Sequence, residues 1–255
     1  MSILRSILPA KFYQVLRKNY QRLKLKHISS DDQYSQKSHG DIFSEVYDNA
    51  LWAYGKEANY LPDGARYYSG SGSYNRSSAE YVHLVNDYIK AHNITAITDI
   101  GCGDFNIGRQ ICEMNPSIAY SGVDVVPNLI HYNNETYGSD KIRFFCLDTL
   151  HEKIPSADLL LIRQVLQHLS NDDIQTLTHN CFRGFPHILI TEHQPKPQYL
   201  IRENIEKTSG PNTRVGSMTG SGVYLDKPPF IYRWQRLLSV EDDNPHTQIN
   251  TYKIL

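Results

Sequence analysis

From residue 94 onward, short β-branched apolar runs alternate with segments whose apolar residues recur at helical spacing. The runs 94–100, 119–125, 142–147, 157–162 (ADLLLI) and 187–191 (HILIT) predict five strands. Segments 107–114, 127–137 and 172–182 predict helices between them. Ahead of this array, Ala79, Val82, Val85 and Ile89 mark a helix over 77–92. Strand and helix alternating at this pitch predict an α/β fold, a doubly wound parallel sheet with right-handed crossovers. Two last runs, 236–240 and 248–254, predict an antiparallel pair. The stretch 194–231 is rich in Pro, Gly and Ser and keeps no period. A segment that long without regular structure in a compact domain is usually functional or disordered.

The first 78 residues read differently. Leu4, Leu8, Phe12, Leu16, Tyr20 and Leu23 recur at helical spacing with basic residues between them. This predicts a basic amphipathic helix, suited to an anionic membrane interface or to packing on the body or a partner subunit. Pro9 would cap or kink it, and the polar stretch 28–40 (ISSDDQYSQKSHG) reads as a linker. Residues 41–60 read as an aromatic-rich helix and turn, followed by S-G-S-G-S at 69–73. The chain thus divides into an arm and linker (1–40), a cap segment (41–78) and an α/β domain (79–255).

Composition adds two restrictions. The net charge of −1 conceals an asymmetry, because seven of the 26 basic residues and no acid fall within 1–27. The remaining 19 face 27 acids, and an acidic body is a poor nucleic-acid binder because phosphate neutralisation dominates that affinity. The four cysteines, Cys102, Cys112, Cys146 and Cys181, show no C-x-x-C spacing and no paired metal pattern, as expected of reduced thiols in a cytoplasmic protein. No stretch approaches the roughly 20 apolar residues of a spanning helix, and the run 3–8 is too short and broken for a secretory signal.

In doubly wound sheets ligands bind beyond the carboxyl ends of the strands. The first strand ends in TDIGCGDFNIG, where Asp99, Gly101, Cys102, Gly103 and Asp104 form a sharp acidic turn. A dinucleotide turn would require glycine where Asn106 stands. Asp124 closes strand two, 21 residues after Gly103, at a place suited to ribose hydroxyls. Asp148 closes strand three, within reach of an adenine amino group, and Arg163 closes strand four in RQVLQHLS. His168 follows it, and strand five ends in TEHQP with Glu192 and His193.

This ordered set resembles the class I S-adenosylmethionine-dependent methyltransferases over roughly residues 79–193. The family's acid-G-C-G motif is matched by Asp99 to Gly103, and its two strand-end acids by Asp124 and Asp148. The resemblance implies a Rossmann-like, mostly parallel seven-stranded sheet with an antiparallel C-terminal strand, here with an N-terminal helical extension. It implies S-adenosyl-L-methionine as cofactor, no metal, and a cofactor set of Asp99, Gly101, Cys102, Gly103, Asp104, Asp124, Asp148 and Arg163. The chemistry agrees: the cofactor lacks a pyrophosphate, so a third glycine is not demanded, and its sulfonium and ammonium groups favour nearby carboxylates. Phe105 stands where a further glycine is common, and would either pack beside the methionine tail or close the site.

His168 matches a histidine many family members carry after strand four. With His193 and Glu192 it forms the set from which a base or acceptor-binding group is expected. The Pro-Pro-aromatic signature of amino-group methylation is missing after strand four, where IRQV stands, and KPPF at 227–230 lies too late to replace it. A weaker resemblance, through Leu51-Trp52, S-G-S-G-S and C-G-D-F at 102–105, is to bacterial methyltransferases associated with surface-polysaccharide assembly. It implies a hydroxyl of a glycan or lipid-linked saccharide as acceptor, which 18 tyrosines would suit. It would also give the basic arm a role at the inner face of the membrane. The Ser/Gly loop would cover the cofactor, guide the acceptor or merely connect, and 194–231 would form an acceptor-side insertion or lid. A small-molecule or protein methyltransferase, and a catalytically silent methyltransferase-like scaffold, are the alternatives. Nothing in the sequence sets the oligomeric state.

Overall fold

The computed structural model describes residues 33–53, 66–215 and 220–255. The basic helix expected over 1–27 lies outside them, as does 54–65 in the cap segment. Five α-helices are described: α1 (His39–Asp48), α2 (Arg76–His92), α3 (Asn106–Met114), α4 (Pro127–Tyr137) and α5 (Asn171–Cys181). They surround one sheet of β1 (Ala96–Ile100), β2 (Ala119–Asp124), β3 (Ile142–Cys146), β4 (Leu159–Arg163), β5 (His187–Pro195), β6 (Trp234–Glu241) and β7 (Thr247–Ile254). The strand order is β3-β2-β1-β4-β5-β7-β6. All neighbouring pairs from β3 to β5 are parallel, and β7 runs antiparallel to both β5 and β6. Among the described residues no helix is long and apolar enough to cross a membrane.

The sequence forms this sheet because its central strands are apolar on both faces. In β4, Leu159 and Leu161 enter one core with Tyr81, Val85, Ile97 and Ile111. Leu160 and Ile162 enter the other with Ile100, Val123, Ile174 and Ile190. Side chains alternate between faces along a strand, so four consecutive apolar residues are the mark of a strand covered on both sides. Each fully buried leucine or isoleucine contributes about 1.5–3 kcal/mol.

The differences from expectation lie at the ends of elements. Helix α5 begins at Asn171 because the Ser170 side chain accepts from the Asp173 amide, with Asp172 and Asp173 favouring the first turn. Strand β5 runs on to Pro195, four residues beyond its apolar run, because β7 supplies the pairing Glu192↔Asn250 through Pro195↔Thr247. The irregular stretch therefore starts after 195. It is well packed in its described part, with Asn204, Lys207, Arg214, Val223, Leu225 and Phe230 buried.

Phe105 requires a correction. It takes a left-handed conformation (φ 64°) at the start of α3, and its ring is 1% exposed. It packs against Phe144, Tyr120 and Tyr137 with centroids 4.8, 5.1 and 5.3 Å away. The left-handed turn sends the ring beneath the sheet edge, so it neither lies beside a methionine tail nor closes the site. Phe105→Ala is expected to destabilise the fold by about 3–5 kcal/mol, as for aromatic truncations in other cores. Urea unfolding measures this. A loss under 1 kcal/mol would contradict the packing described.

Candidate active site

A cavity of about 480 Å³ opens at the carboxyl ends of β1, β2 and β4, within the size range of small-molecule sites. Its floor is the turn after β1. Gly101 (φ 70°) and Gly103 (φ 55°) both need the left-handed region. A Cβ on Gly101 would stand 2.3 Å from Val165 Cγ2, and one on Gly103 2.3 Å from Ser69 Oγ. Both glycines and Cys102 line the cavity.

Around this turn the acids gather. Asp99 is 7% exposed and accepts from the Tyr120 hydroxyl at 2.6 Å; burial pushes its carboxyl up to about 7. Asp124 accepts from the Gly103 amide at 3.1 Å and the Val126 amide at 3.3 Å, and burial pushes it up to about 6. Asp148 accepts from the Leu150 amide at 3.0 Å and lies 3.5 Å from His39 Nδ1. All three line the cavity.

Asp104 also lines it but is already engaged. It accepts from the Ser69 amide at 2.9 Å, the Tyr74 hydroxyl at 2.8 Å and the Asn106 amide at 3.1 Å. The Ser/Gly loop is fastened further by Asn106 Nδ2 to Ser73 O (2.6 Å) and by Arg163 Nη2 to Gly72 O (2.6 Å). Ser69 to Ser73 thereby form a wall of the cavity rather than a free connector. Arg163 sits over the Tyr81 ring at 5.2 Å, with burial lowering its pKa. Gln164, the next residue, is left-handed (φ 56°) and directs its amide against Gly72. Such strain in a non-glycine residue is characteristic of functional sites.

The remaining wall is aromatic. Trp52 lies 5.1 Å from the His168 ring, 5.5 Å from Tyr47 and 6.2 Å from Phe43, and all four line the cavity. His39, the first residue of α1, joins this cap to the body, with Nε2 3.2 Å from Asp173 and Nδ1 facing Asp148. The hydrogen bond to Asp173 raises its pKa despite burial.

The three candidate catalytic groups separate. His168 is 8% exposed, and burial together with the Lys207 and Arg214 charges pushes its pKa down to about 3, so it is neutral at working pH. Glu192 does not face the cavity. It is fully buried behind the wall, where its carboxylate accepts from the Leu166 and Gln167 amides at 3.0 and 3.1 Å, and burial pushes it up to about 8. Alternation along β5 explains this, since Glu192 and His193 point to opposite faces. His193 does line the cavity, with its buried Nε2 3.0 Å from Asp242 Oδ2. Asp242 is largely buried; although burial opposes ionisation, His193 and Thr247 hold its carboxyl down at about 2.

His39, Tyr47 and Asp242 are among the lining residues that sequence reasoning did not single out. No local signal marks Asp242, which reaches His193 only through the β6–β7 turn. Left-handed backbone at a glutamine likewise has no sequence signature.

The fold and the strand-end acids agree with the resemblance to class I S-adenosylmethionine-dependent methyltransferases. Residues 98–184 match the family model described as a methyltransferase domain. The chain is 29% identical over 93 residues to strychnine O-methyltransferase of Strychnos nux-vomica, and 27% identical over 93 residues to daphnetin O-methyltransferase 1 of Secale cereale. Each match covers 36% of this chain and 25% of the relative, so the chain spans about a quarter of the length of these curated proteins. Over 92% of its length it superimposes on 67% of mitomycin 7-O-methyltransferase MmcR with a TM-score of 0.53 at 12% identity, a likeness of fold.

The site fits a cationic ligand. Asp99 and Asp124 are carboxylates held well above their ordinary value of about 3.9 by burial. Between pH 4 and 7 the native protein therefore holds protons that the unfolded chain has lost, so stability without ligand falls as pH rises through this window. A sulfonium or ammonium group favours the ionised acids and expels those protons. S-adenosylmethionine affinity is thus expected to rise several-fold from pH 5 to 7.5 with net proton release, measured calorimetrically in buffers of different ionisation enthalpy. S-adenosylhomocysteine, without the sulfonium charge, should show a weaker dependence. Equal and flat profiles for both would count against this electrostatic account.

Proposed function

We propose that this protein is an active methyltransferase that moves the methyl group of S-adenosylmethionine to a hydroxyl of a small-molecule acceptor. The observation that carries the reading is one cavity with two unlike halves. Gly101, Gly103, Asp99, Asp124 and Asp148 line one half, and Trp52, Phe43, His168 and His193 the other. In this reading Asp124 holds the ribose hydroxyls and Asp148 the adenine amino group. Asp99 compensates the ammonium group, and Arg163 and Asp104 hold the Ser/Gly wall over the methionine end. The methyl leaves sulfur in line with the incoming oxygen, so the protein acts chiefly by alignment and exclusion of water. The two curated relatives and the mitomycin enzyme are all named O-methyltransferases, which supports oxygen as the accepting atom.

A narrower reading makes the acceptor a sugar hydroxyl on a glycan or lipid-linked precursor. It rests on the S-G-S-G-S and C-G-D-F resemblance and on the Trp52 face, which suits stacking on a sugar. The stretch 194–231 would then supply the acceptor side, where Pro211 and Thr213 already line the cavity. The basic arm would hold a cytoplasmic enzyme near membrane-borne substrate.

Calorimetry should show S-adenosylmethionine binding, weakened at least tenfold by Asp124→Ala. Radiolabelled methyl should enter one class of a panel containing phenols, nucleotide sugars and glycans. No cofactor binding at all would leave the catalytically silent scaffold as the surviving alternative. Deleting residues 1–27 should reduce partition into vesicles containing anionic lipid; unchanged partition would remove the membrane role.

A further inference from the structure

Two histidines line the acceptor half of the cavity, and they differ in what a proton would meet there. At His168, the Lys207 ammonium donates to the residue's own carbonyl at 2.9 Å. The Arg214 guanidinium donates to the Leu166 carbonyl at 3.0 Å. A proton arriving on that imidazole would add a third cation to a buried cluster. His168 instead has its ring against Trp52 and Phe43. It is suited to being a wall.

His193 has the opposite surroundings. Its side chain is 22% exposed, toward the end of β5, and Nε2 lies 3.0 Å from Asp242 Oδ2. Asp242 is only 13% exposed and accepts from the Thr247 hydroxyl at 2.9 Å. Its orientation is therefore fixed from β7 as well as from the end of β6. His193 on β5, Thr247 at the start of β7 and the turn directly after β6 together build the pair. A carboxylate this close to Nε2 favours the tautomer with the hydrogen on that nitrogen, which leaves Nδ1 as the accepting atom of the ring. The titratable groups on neighbouring elements include Glu192 on β5, the Lys196–Glu241 ion pair at the ends of β5 and β6, Asp243 beside Asp242, Tyr252 on β7, Arg163 on β4 and His168 on the turn after it. The acids of the cofactor half lie on β1 to β3.

We propose that His193 is the base that receives the acceptor's hydroxyl proton, and that Asp242 is its positioning residue. This rests on the methyltransferase reading and extends it: the acceptor nucleophile is an O–H group that must lose its proton as it attacks. The acceptor oxygen forms a bond to the methyl carbon, and the carbon–sulfur bond breaks with its electron pair remaining on sulfur. The hydroxyl proton passes to Nδ1. The products are a methyl ether, S-adenosylhomocysteine and an imidazolium facing the Asp242 carboxylate, with charge conserved.

The test has two independent arms. Nitrogen-15 NMR of the wild-type protein with S-adenosylhomocysteine reads the His193 tautomer and needs no acceptor. Nε2–H is expected, shifting toward Nδ1–H in Asp242→Asn; Nδ1–H in the wild type would overturn the arrangement. In the second arm, 4-nitrocatechol and UDP-glucose serve as acceptor probes. For whichever is methylated, His193→Gln should lower kcat by about 10²–10⁴-fold with S-adenosylmethionine affinity within threefold of wild type. Asp242→Asn should lower kcat with cofactor KM unchanged, and Asp242→Glu should restore part of it. A merely structural aspartate would instead move the melting temperature and both kinetic constants together. Wild-type kcat in His193→Gln would refute the proposal. Failure of the wild type to bind S-adenosylmethionine would sink the methyltransferase reading itself, while the tautomer would still report on the pair.

Discussion

Everything at the carboxyl edge of the sheet depends on the turn after β1. Within five residues the backbone takes left-handed conformations three times, at Gly101, Gly103 and Phe105. The glycines do so without steric cost. Phe105 does so at an expense of order 1–3 kcal/mol, offset by burying an aromatic ring, worth about 1.5–3 kcal/mol. The result is a chain that doubles back closely enough for Val165 to pack on Gly101 and Ser69 on Gly103. Any Cβ at either glycine would displace the turn after β4 or the Ser/Gly wall. The turn thus fixes the floor, and with it the distance between the two halves of the cavity.

That floor imposes an electrostatic problem. Parallel strands ending side by side bring Asp99, Asp124 and Asp104 into one buried region, and burial raises all three pKa values. Asp104 is answered from within the protein by Ser69, Tyr74 and Asn106. Asp124 is met by neutral backbone amides, Gly103 on one oxygen and Val126 on the other, and Asp99 depends on Tyr120 and the nearby Arg163 charge. An anionic cavity of this kind is stabilised by a cationic guest, and a dinucleotide pyrophosphate would be repelled. Asn106, in the place of the third glycine of a dinucleotide turn, is consistent with this: its side chain ties down the Ser73 carbonyl instead of clearing room for phosphate.

Much of this was legible in the sequence because it follows from period and position. The five parallel strands are apolar runs, and strand-end acids fall at spacings set by βα units, so the parallel sheet and the acids that line the cavity could be read together. Where reading failed, the deciding interaction was remote. Phe105 was expected at the cavity because its place in the motif was considered, whereas its direction is set by a positive φ that no pattern encodes. The polar end of β5 hid a strand because β7, about 60 residues later, supplies its hydrogen bonds. Glu192 and His193 were grouped as neighbours in sequence, yet strand alternation places them on opposite faces. Asp242 lies in an acidic stretch, EDDN, where nothing distinguishes it from Glu241 or Asp243 until the hairpin folds it onto β5.

The two halves of the cavity also carry different instructions for proton movement. On the cofactor side, acids that hold protons when empty can release them as a cation arrives. On the acceptor side, Lys207 and Arg214 fasten the turn that carries His168 and oppose protonation there, while Glu192 accepts the amides of the same turn from behind. His168 is thereby fixed in place and kept neutral, which is a requirement for an apolar wall and a handicap for a base. Asp242 reverses that condition at His193. In the proposed mechanism, the separation of a neutral stacking histidine from a carboxylate-paired one, across a single cavity, gives positioning and proton acceptance to different side chains, so that neither environment has to serve both.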